Sequence, residues 1–255
     1  MRTSLLILFA LALAPAAWAA GPWLGTASTG AGFTAAVDGG TTVVGDGSHT
    51  LRLAGRWGIP RVTLNGDVGG VSRDGRVLVL AQEANHPNGE LSATSTFAIL
   101  RTKPLRVERR VVLHGDFGFD ALSPHGRTLY LIEHVSRREL FRYRVRAYDV
   151  PAGRLLGRVV ADKRQRSWLM NGYPVARAAS AGGRWVYTLY TNPDNYPFVH
   201  ALDTVSRTAV CVGLPWDWTG DQAAMDNATL RVTGNALAIG DLFSLDRTTF
   251  EVTKR

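Results

Sequence analysis

The sequence predicts an all-β chain: a β-propeller of about five four-stranded blades, preceded by a cleaved signal peptide. Three observations predict it. A phrase recurs three times, as SRDGRVLVL from Ser72, SPHGRTLYL from Ser123 and SAGGRWVYTL from Ser180. Each recurrence is followed by alternating strand pattern, most clearly around turns that begin with aspartate. Helix signals are nearly absent once the first twenty residues are set aside.

Those first twenty residues read as an export signal. Arg2 gives a positive start, Leu5 to Leu13 an apolar core, and Ala17-Trp18-Ala19 small residues at the positions a signal peptidase reads. Cleavage is expected after Ala19 or Ala20, leaving residues 21–255 as a single domain. No cysteine follows the cut, so no lipid anchor forms there. The single arginine argues against a twin-arginine route. No later apolar run approaches the roughly 18 residues of a membrane helix. The mature chain is therefore expected to be secreted or periplasmic, without a transmembrane segment, and monomeric.

The glycines of the three phrases, Gly75, Gly126 and Gly183, lie 51 and 57 residues apart. A period of this size marks a repeat architecture. Within a unit, the S-x-x-G-R segment is a tight turn between two inner strands, where glycine supplies positive φ. An outer hairpin follows. In FRYRVRAYDVPAGRLLGRVV, Phe141, Tyr143, Val145 and Ala147 alternate with Arg142, Arg144, Arg146 and Tyr148. Asp149 to Gly153 is the turn, and Leu155 to Val160 the returning strand. The same hairpin recurs around Leu202-Asp203 and Leu245-Asp246, and in an N-terminal version around Gly45-Asp46-Gly47. Counting gives units at 24–58, 59–115, 116–161, 172–214 and 226–255. The last is compressed, with Thr233-Gly234-Asn235 at its first turn. The terminal units are expected to pair and close the ring, because an open ring exposes strand edges.

Composition bounds the chemistry. The formal charge is +8, carried by 29 basic residues of which only Lys103, Lys163 and Lys254 are lysine. Such a surface favours anionic partners, although an arginine-rich genome gives the same composition. The stripe Arg142, Arg144, Arg146 is read as a solvated outer face, and a nucleic-acid partner is not expected. The only cysteine, Cys211 in TAVCVGL, cannot form an internal disulfide and is read as a buried apolar residue. No histidine partner for it is visible nearby in the sequence.

The three phrases resemble the repeats of secreted bacterial β-propellers of the YVTN and WD40-like kind, whose blades often carry an S-P-D-G-x-x-L-Y-V turn. SPHGRTLYL is the nearest match, with His125 in place of aspartate; SRDGRVLVL keeps Asp74. The resemblance covers three of the five units. No Trp-Asp pair ends a blade. It implies a fold and leaves activity open, because such propellers serve as binding proteins, scaffolds and hydrolases.

Candidate site residues follow from offsets to the repeat turn. Gly69, Asp120 and Arg177 each stand three residues before the serine, and Arg231 takes the matching place in the compressed unit. If that strand face lines the channel, Arg177 and Arg231 flank Asp120 and could hold an anion by forked hydrogen bonds. The alternative is a solvated channel plugged by an Asp–Arg pair. Glu133-His134 and Gln82-Glu83 occupy equivalent strand ends and could reach a rim. With His86, His114 and His200 they are metal-ligand types in no known ligand spacing, so neither a metal nor a cofactor is expected. Trp216-Asp217-Trp218 could stack on a sugar or base, or pack between blades. Asn192 to Pro197 lacks the alternation of a calcium loop, and Asn227-Ala228-Thr229 matches a glycosylation acceptor.

Together these readings describe a binding or interaction propeller with no evident catalytic constellation. Its ligand would be a small molecule or an extracellular protein or polymer, possibly anionic. The alternative is a propeller hydrolase acting on a lactone or glycan, with Asp120 working with Glu133 or His134. That alternative requires at least two of these side chains within hydrogen-bond reach of one another.

Overall fold

Serine and aspartate recur because each closes a turn with its own side chain. The computed structural model describes residues 22–255, apart from 24–26, 83–90, 137–140, 165–168, 193–194 and 217–221. The expected signal peptide, with Glu83, His86, Pro193-Asp194 and Asp217-Trp218, lies outside the described residues.

Five sheets follow one another along the chain. A short β1 (Pro22–Trp23) comes first. Blade 1 is β2 (Ala27–Ser28), β3 (Thr34–Asp38), β4 (Thr41–Gly45) and β5 (Thr50–Ala54). Blade 2 is β6 (Trp57–Pro60), β7 (Val77–Gln82), β8 (Thr94–Thr102) and β9 (Leu105–His114). Blade 3 is β10 (Phe117–Leu122), β11 (Thr128–His134), β12 (Arg142–Asp149) and β13 (Arg154–Val160), with β14 (Met170–Asn171) added beside β12. Blade 4 is β15 (Tyr173–Ala179), β16 (Trp185–Asn192), β17 (Asn195–Asp203) and β18 (Thr208–Gly213). A one-turn helix, α1 (Gln222–Asp226), precedes blade 5, which is β19 (Leu230–Thr233), β20 (Ala236–Ile239), β21 (Phe243–Asp246) and β22 (Val252–Lys254). Pairing within each blade is antiparallel and sequential. No described helix is long and apolar enough to cross a membrane.

In the S-x-x-G-R turns the serine hydroxyl caps the next strand. Ser72, Ser123 and Ser180 Oγ accept the amides of Val77, Thr128 and Trp185, each at 3.0 Å. The glycine amide of each turn returns to the serine carbonyl, and φ is 69°, 66° and 70° at Gly75, Gly126 and Gly183. The outer turns work similarly. Asp203 and Asp246 Oδ1 accept the amides two and three residues on, and Asp149 Oδ1 accepts that of Ala152. The fifth residue, Gly153, Arg207 or Phe250, takes positive φ and donates to the aspartate carbonyl.

The core lies between blades. Separate clusters of buried side chains join blades 1 and 2, 2 and 3, 3 and 4, and 4 and 5. Inner strands of blades 2 and 3 are therefore buried on both faces: Val77 to Ala81 and all of β10 are buried. Blades 1 and 5 alternate instead, with Ala35, Val44 and Leu53 inward in one and Leu237, Ile239, Phe243 and Leu245 inward in the other. The expected pairing of the terminal units is not found among the described residues. β1 joins β6 of blade 2, and among the described residues the C-terminal sheet contains only its own four strands.

Blade 2 departs most from the repeat. Its inner strand is split: β6 stops at Pro60, residues 61–68 leave as a finger bridged at Arg61–Val68, and pairing to β7 resumes at Gly70 and Val71. A tight turn makes the tip, with the Gly66 amide donating to Thr63 O. The finger crosses to blade 4, where Leu64 N donates to Pro174 O at 2.8 Å, and Asn65 Nδ2 reaches Asp226 O at 3.0 Å. At the opposite end the repeat turns meet. His125 Nδ1 lies 3.0 Å from Asp74 Oδ2, and a side chain at Gly183 would press on Arg73 Cβ at 2.9 Å. The axis is thus covered by the finger at one end and by the turns at the other.

Candidate functional site

A bulge in β10 sets Asp120 apart. Phe119 pairs with Leu131 and Ala121 with Tyr130, leaving Asp120 as the extra residue. Bulges re-aim side chains, and this carboxylate is 2% exposed. From β15 of the next blade, the Arg177 guanidinium donates to both Asp120 Oδ1 and the Asp120 carbonyl. The Arg177 amide donates to Asp67 Oδ2 of the finger at 3.1 Å. Asp67 is itself held by Thr63 Oγ1 at 3.0 Å. Three blades meet on this one arginine.

The polar seam continues outward between blades 3 and 4. Arg177 pairs across the sheet with Thr188, Thr188 with His200, and His200 with Cys211, so all four share one face. Cys211 N donates to Asp162 Oδ2 at 2.9 Å, and Arg164 clamps that carboxylate. Burial pushes the Asp162 carboxyl up, but the hydrogen bonds from Arg164 and Cys211 more than offset it, lowering its pKa to about 2. Tyr143 and Tyr190 pack here at 5.7 Å between ring centroids, and burial raises both phenols. Among the described residues Asp120 Oδ2, Arg177 Nε and His200 Nε2 are buried without hydrogen-bond partners.

His200 Nδ1 lies 3.5 Å from Cys211 Sγ. The cysteine therefore has the histidine neighbour the sequence reading did not find. The pair is not activated. Burial takes the thiol up to about 12 and the imidazole down to about 4, so both are neutral near pH 7. Register could have revealed the pair: counting back from the Asp203–Thr208 turn sets His200 opposite Cys211.

Of the predicted residues, the structure brings Asp120 and Arg177 together. Arg231 stands elsewhere. Its row, Arg231–Ala238–Ser244–Thr253, alternates with the Leu230 and Val232 rows that pack on blade 4, so it faces away and is exposed. The shortened turn at Gly234-Asn235 reverses the alternation that the offset assumed, and such a slip moves a side chain to the other face. Gly69 packs against Phe119, whose ring would lie 2.5 Å from a β-carbon there.

Glu133 accepts Arg144 Nε at 2.7 Å and Nη2 at 3.0 Å, and Arg146 Nη1 at 2.7 Å. Burial raises its pKa, but the two arginines overcome this and hold it below the usual carboxylate range. Arg144 and Arg146 are thus half-buried clamps rather than the solvated stripe expected. His134 Nδ1 meets Asp116 Oδ1 at 2.7 Å, and Asp116 Oδ2 accepts the Ser92 amide. Asp120, Glu133 and His134 are each engaged elsewhere and do not hydrogen-bond one another. Trp216 packs on the cluster joining blades 4 and 5. Among the described residues no group of three or more His, Cys, Asp or Glu could hold a metal ion.

No family model and no curated protein matches the chain. Solved structures do. A chain of the mitotic checkpoint complex superposes with a TM-score of 0.50 at 12% identity, over 98% of this chain and 74% of that one. A prolyl endopeptidase structure gives 0.51 at 10% identity, over 93% of this chain and 36% of that one. The β-propeller domain of Cps50 (Swd1) from Myceliophteria thermophila gives 0.47 at 14% identity, over 88% and 65%. This chain thus spans just under two thirds of the Cps50 domain. The fold is a β-propeller. At these identities the likeness speaks to fold alone.

Proposed function

We propose that residues 21–255 form an extracytoplasmic binding propeller, exported by the segment 1–20, that engages a protein partner through the end bearing the finger. One observation carries the reading. Asp120 and Arg177 on the axis are buried and paired with each other, while large apolar side chains stand exposed at the finger end: Leu64 at 37%, Val135 at 39% and Tyr196 at 53%. The Phe141–Tyr173 ring pair, 5.8 Å between centroids, lies beside Gly172 and Pro174 where the finger docks. Apolar side chains ringed by polar ones mark interaction surfaces. In this reading Asp120 and Arg177 are a structural lock, and Glu133 and His134 support blade 3. The hydrolase alternative lacks support, because its three residues do not converge.

The test is affinity capture from the extracytoplasmic fraction of the native host, with wild type against Leu64→Asp/Val135→Asp/Tyr196→Asp. A defined protein retained by wild type and lost by the folded triple variant is expected. Equal retention by both would refute the assignment of the face.

A further inference from the structure

We infer that the opposite end, built from the repeat turns of blades 2 to 4, is a docking face for an anionic phospholipid bilayer. The S-x-x-G-R turns and the outer turns of a blade emerge at the same end, because successive strands are antiparallel. They bring Arg73, Arg76, Lys103, Arg127, Arg154 and Arg207 to that end, all exposed. The aspartates there are engaged within their own turns. Asp74 accepts Ser72 Oγ at 2.7 Å and the Arg76 amide at 3.1 Å. Asp149 caps its own turn, with Arg207 3.8 Å away. Asp203 caps its turn and binds Arg184 at 2.7 Å. The carboxylates build the turns, and the arginines are left outside. The finger end instead mixes Arg61, Lys163 and Arg164 with Asp67, Asp116, Asp162 and Asp226.

The charges are spread over inner and outer turns of three blades, a two-dimensional pattern that suits a flat surface better than one linear chain. The platform is rigid. Asp74 N donates to Pro124 O at 3.2 Å, Tyr130 Oη to Thr204 O at 2.9 Å, and Arg207 Nη2 to Thr128 Oγ1 at 3.3 Å, each linking neighbouring blades. Guanidinium groups match phosphate oxygens in fork geometry. Val205, 59% exposed in the same set of turns, offers an apolar tip to the headgroup layer.

The experiment is co-sedimentation of the mature chain with vesicles of phosphatidylcholine alone or mixed with phosphatidylglycerol, at low salt. Wild type should partition onto the mixed vesicles only and come off in high salt, since screening removes surface attraction. Arg76→Glu/Arg127→Glu/Arg154→Glu alters side chains that make no ion pair among the described residues. It should bind about a hundredfold more weakly, at roughly fivefold per arginine, with an unchanged melting temperature. Binding to mixed vesicles no tighter than to phosphatidylcholine, or persisting in high salt, would overturn the inference. So would a triple variant that binds like wild type, or wild type that binds soluble dextran sulfate but not vesicles.

Discussion

Arg177 is the residue on which the interior depends. Its guanidinium engages one oxygen of a carboxylate that is 2% exposed and a carbonyl, and its amide anchors the finger. Removing one partner of a buried pair leaves an uncompensated charge and typically costs about 3–5 kcal/mol. Asp120→Ala and Arg177→Met should each destabilise by that order in urea unfolding, and the double variant by clearly less than their sum. Additive effects would show that the pair is not coupled. His200 makes a second test. Its imidazole is buried and neutral, with a pKa lowered from 6.5 to about 4; burial dominates, Arg177 acts in the same direction, and Asp120 and Asp162 oppose it. The unfolded chain binds that proton from pH 6.5 downward and the folded chain does not, so stability falls as pH drops from about 6.5 to 4. The full loss is on the order of 3 kcal/mol. His200→Gln should flatten this limb of a stability–pH curve; an unchanged slope would assign it to other groups.

At the scale of the element, the turns were the most legible part. The S-x-x-G-R phrase and the D-x-x-x-[GR] turn are local, so their spacing is written in consecutive residues. The five units drawn from them fall within a few residues of the five sheets. Gly126 shows why the phrase is strict. Its φ is 66°, and a β-carbon there would lie 2.5 Å from Val77 Cγ2 of the preceding blade. Gly126→Val should cost about 2–5 kcal/mol, combining left-handed strain with overpacking; a melting temperature like wild type would mean the turn is drawn incorrectly. The finger was not legible as an insertion, although Asn65-Gly66 is a turn pair, because inner strand and excursion share the same apolar alternation. Arg231 and the Glu133 clamp failed for a related reason. Periodicity assigns a face, but a compressed turn resets parity, and no spacing says which carboxylate an arginine on that face will meet.

At the scale of the molecule, burial is uneven. Inner strands of the middle blades are covered on both faces, whereas blades 1 and 5 bury one face each among the described residues. Segments with fewer buried apolar contacts open at lower free energy. Hydrogen exchange should therefore show β3 to β5 and β19 to β22 losing protection before β7, β8, β11 and β16; uniform protection would indicate a closure between the terminal blades that these contacts do not supply. The two ends also differ: the finger end sets exposed apolar side chains among charges of both signs, and the turn end is basic. That polarity supports a propeller that faces an anionic surface with one end and a partner with the other.

The central claim is that the axis is a structural lock and the finger end is the binding face. It is tested by titrating the captured partner against two folded variants, Asp120→Ala/Arg177→Met on the axis and Leu64→Asp/Val135→Asp/Tyr196→Asp on the face. The account predicts that the axial variant binds within about threefold of wild type, under 1 kcal/mol, while the face variant weakens at least about a hundredfold, near 2.7 kcal/mol. A partner lost by the axial variant and kept by the face variant would contradict it and return the site to the channel.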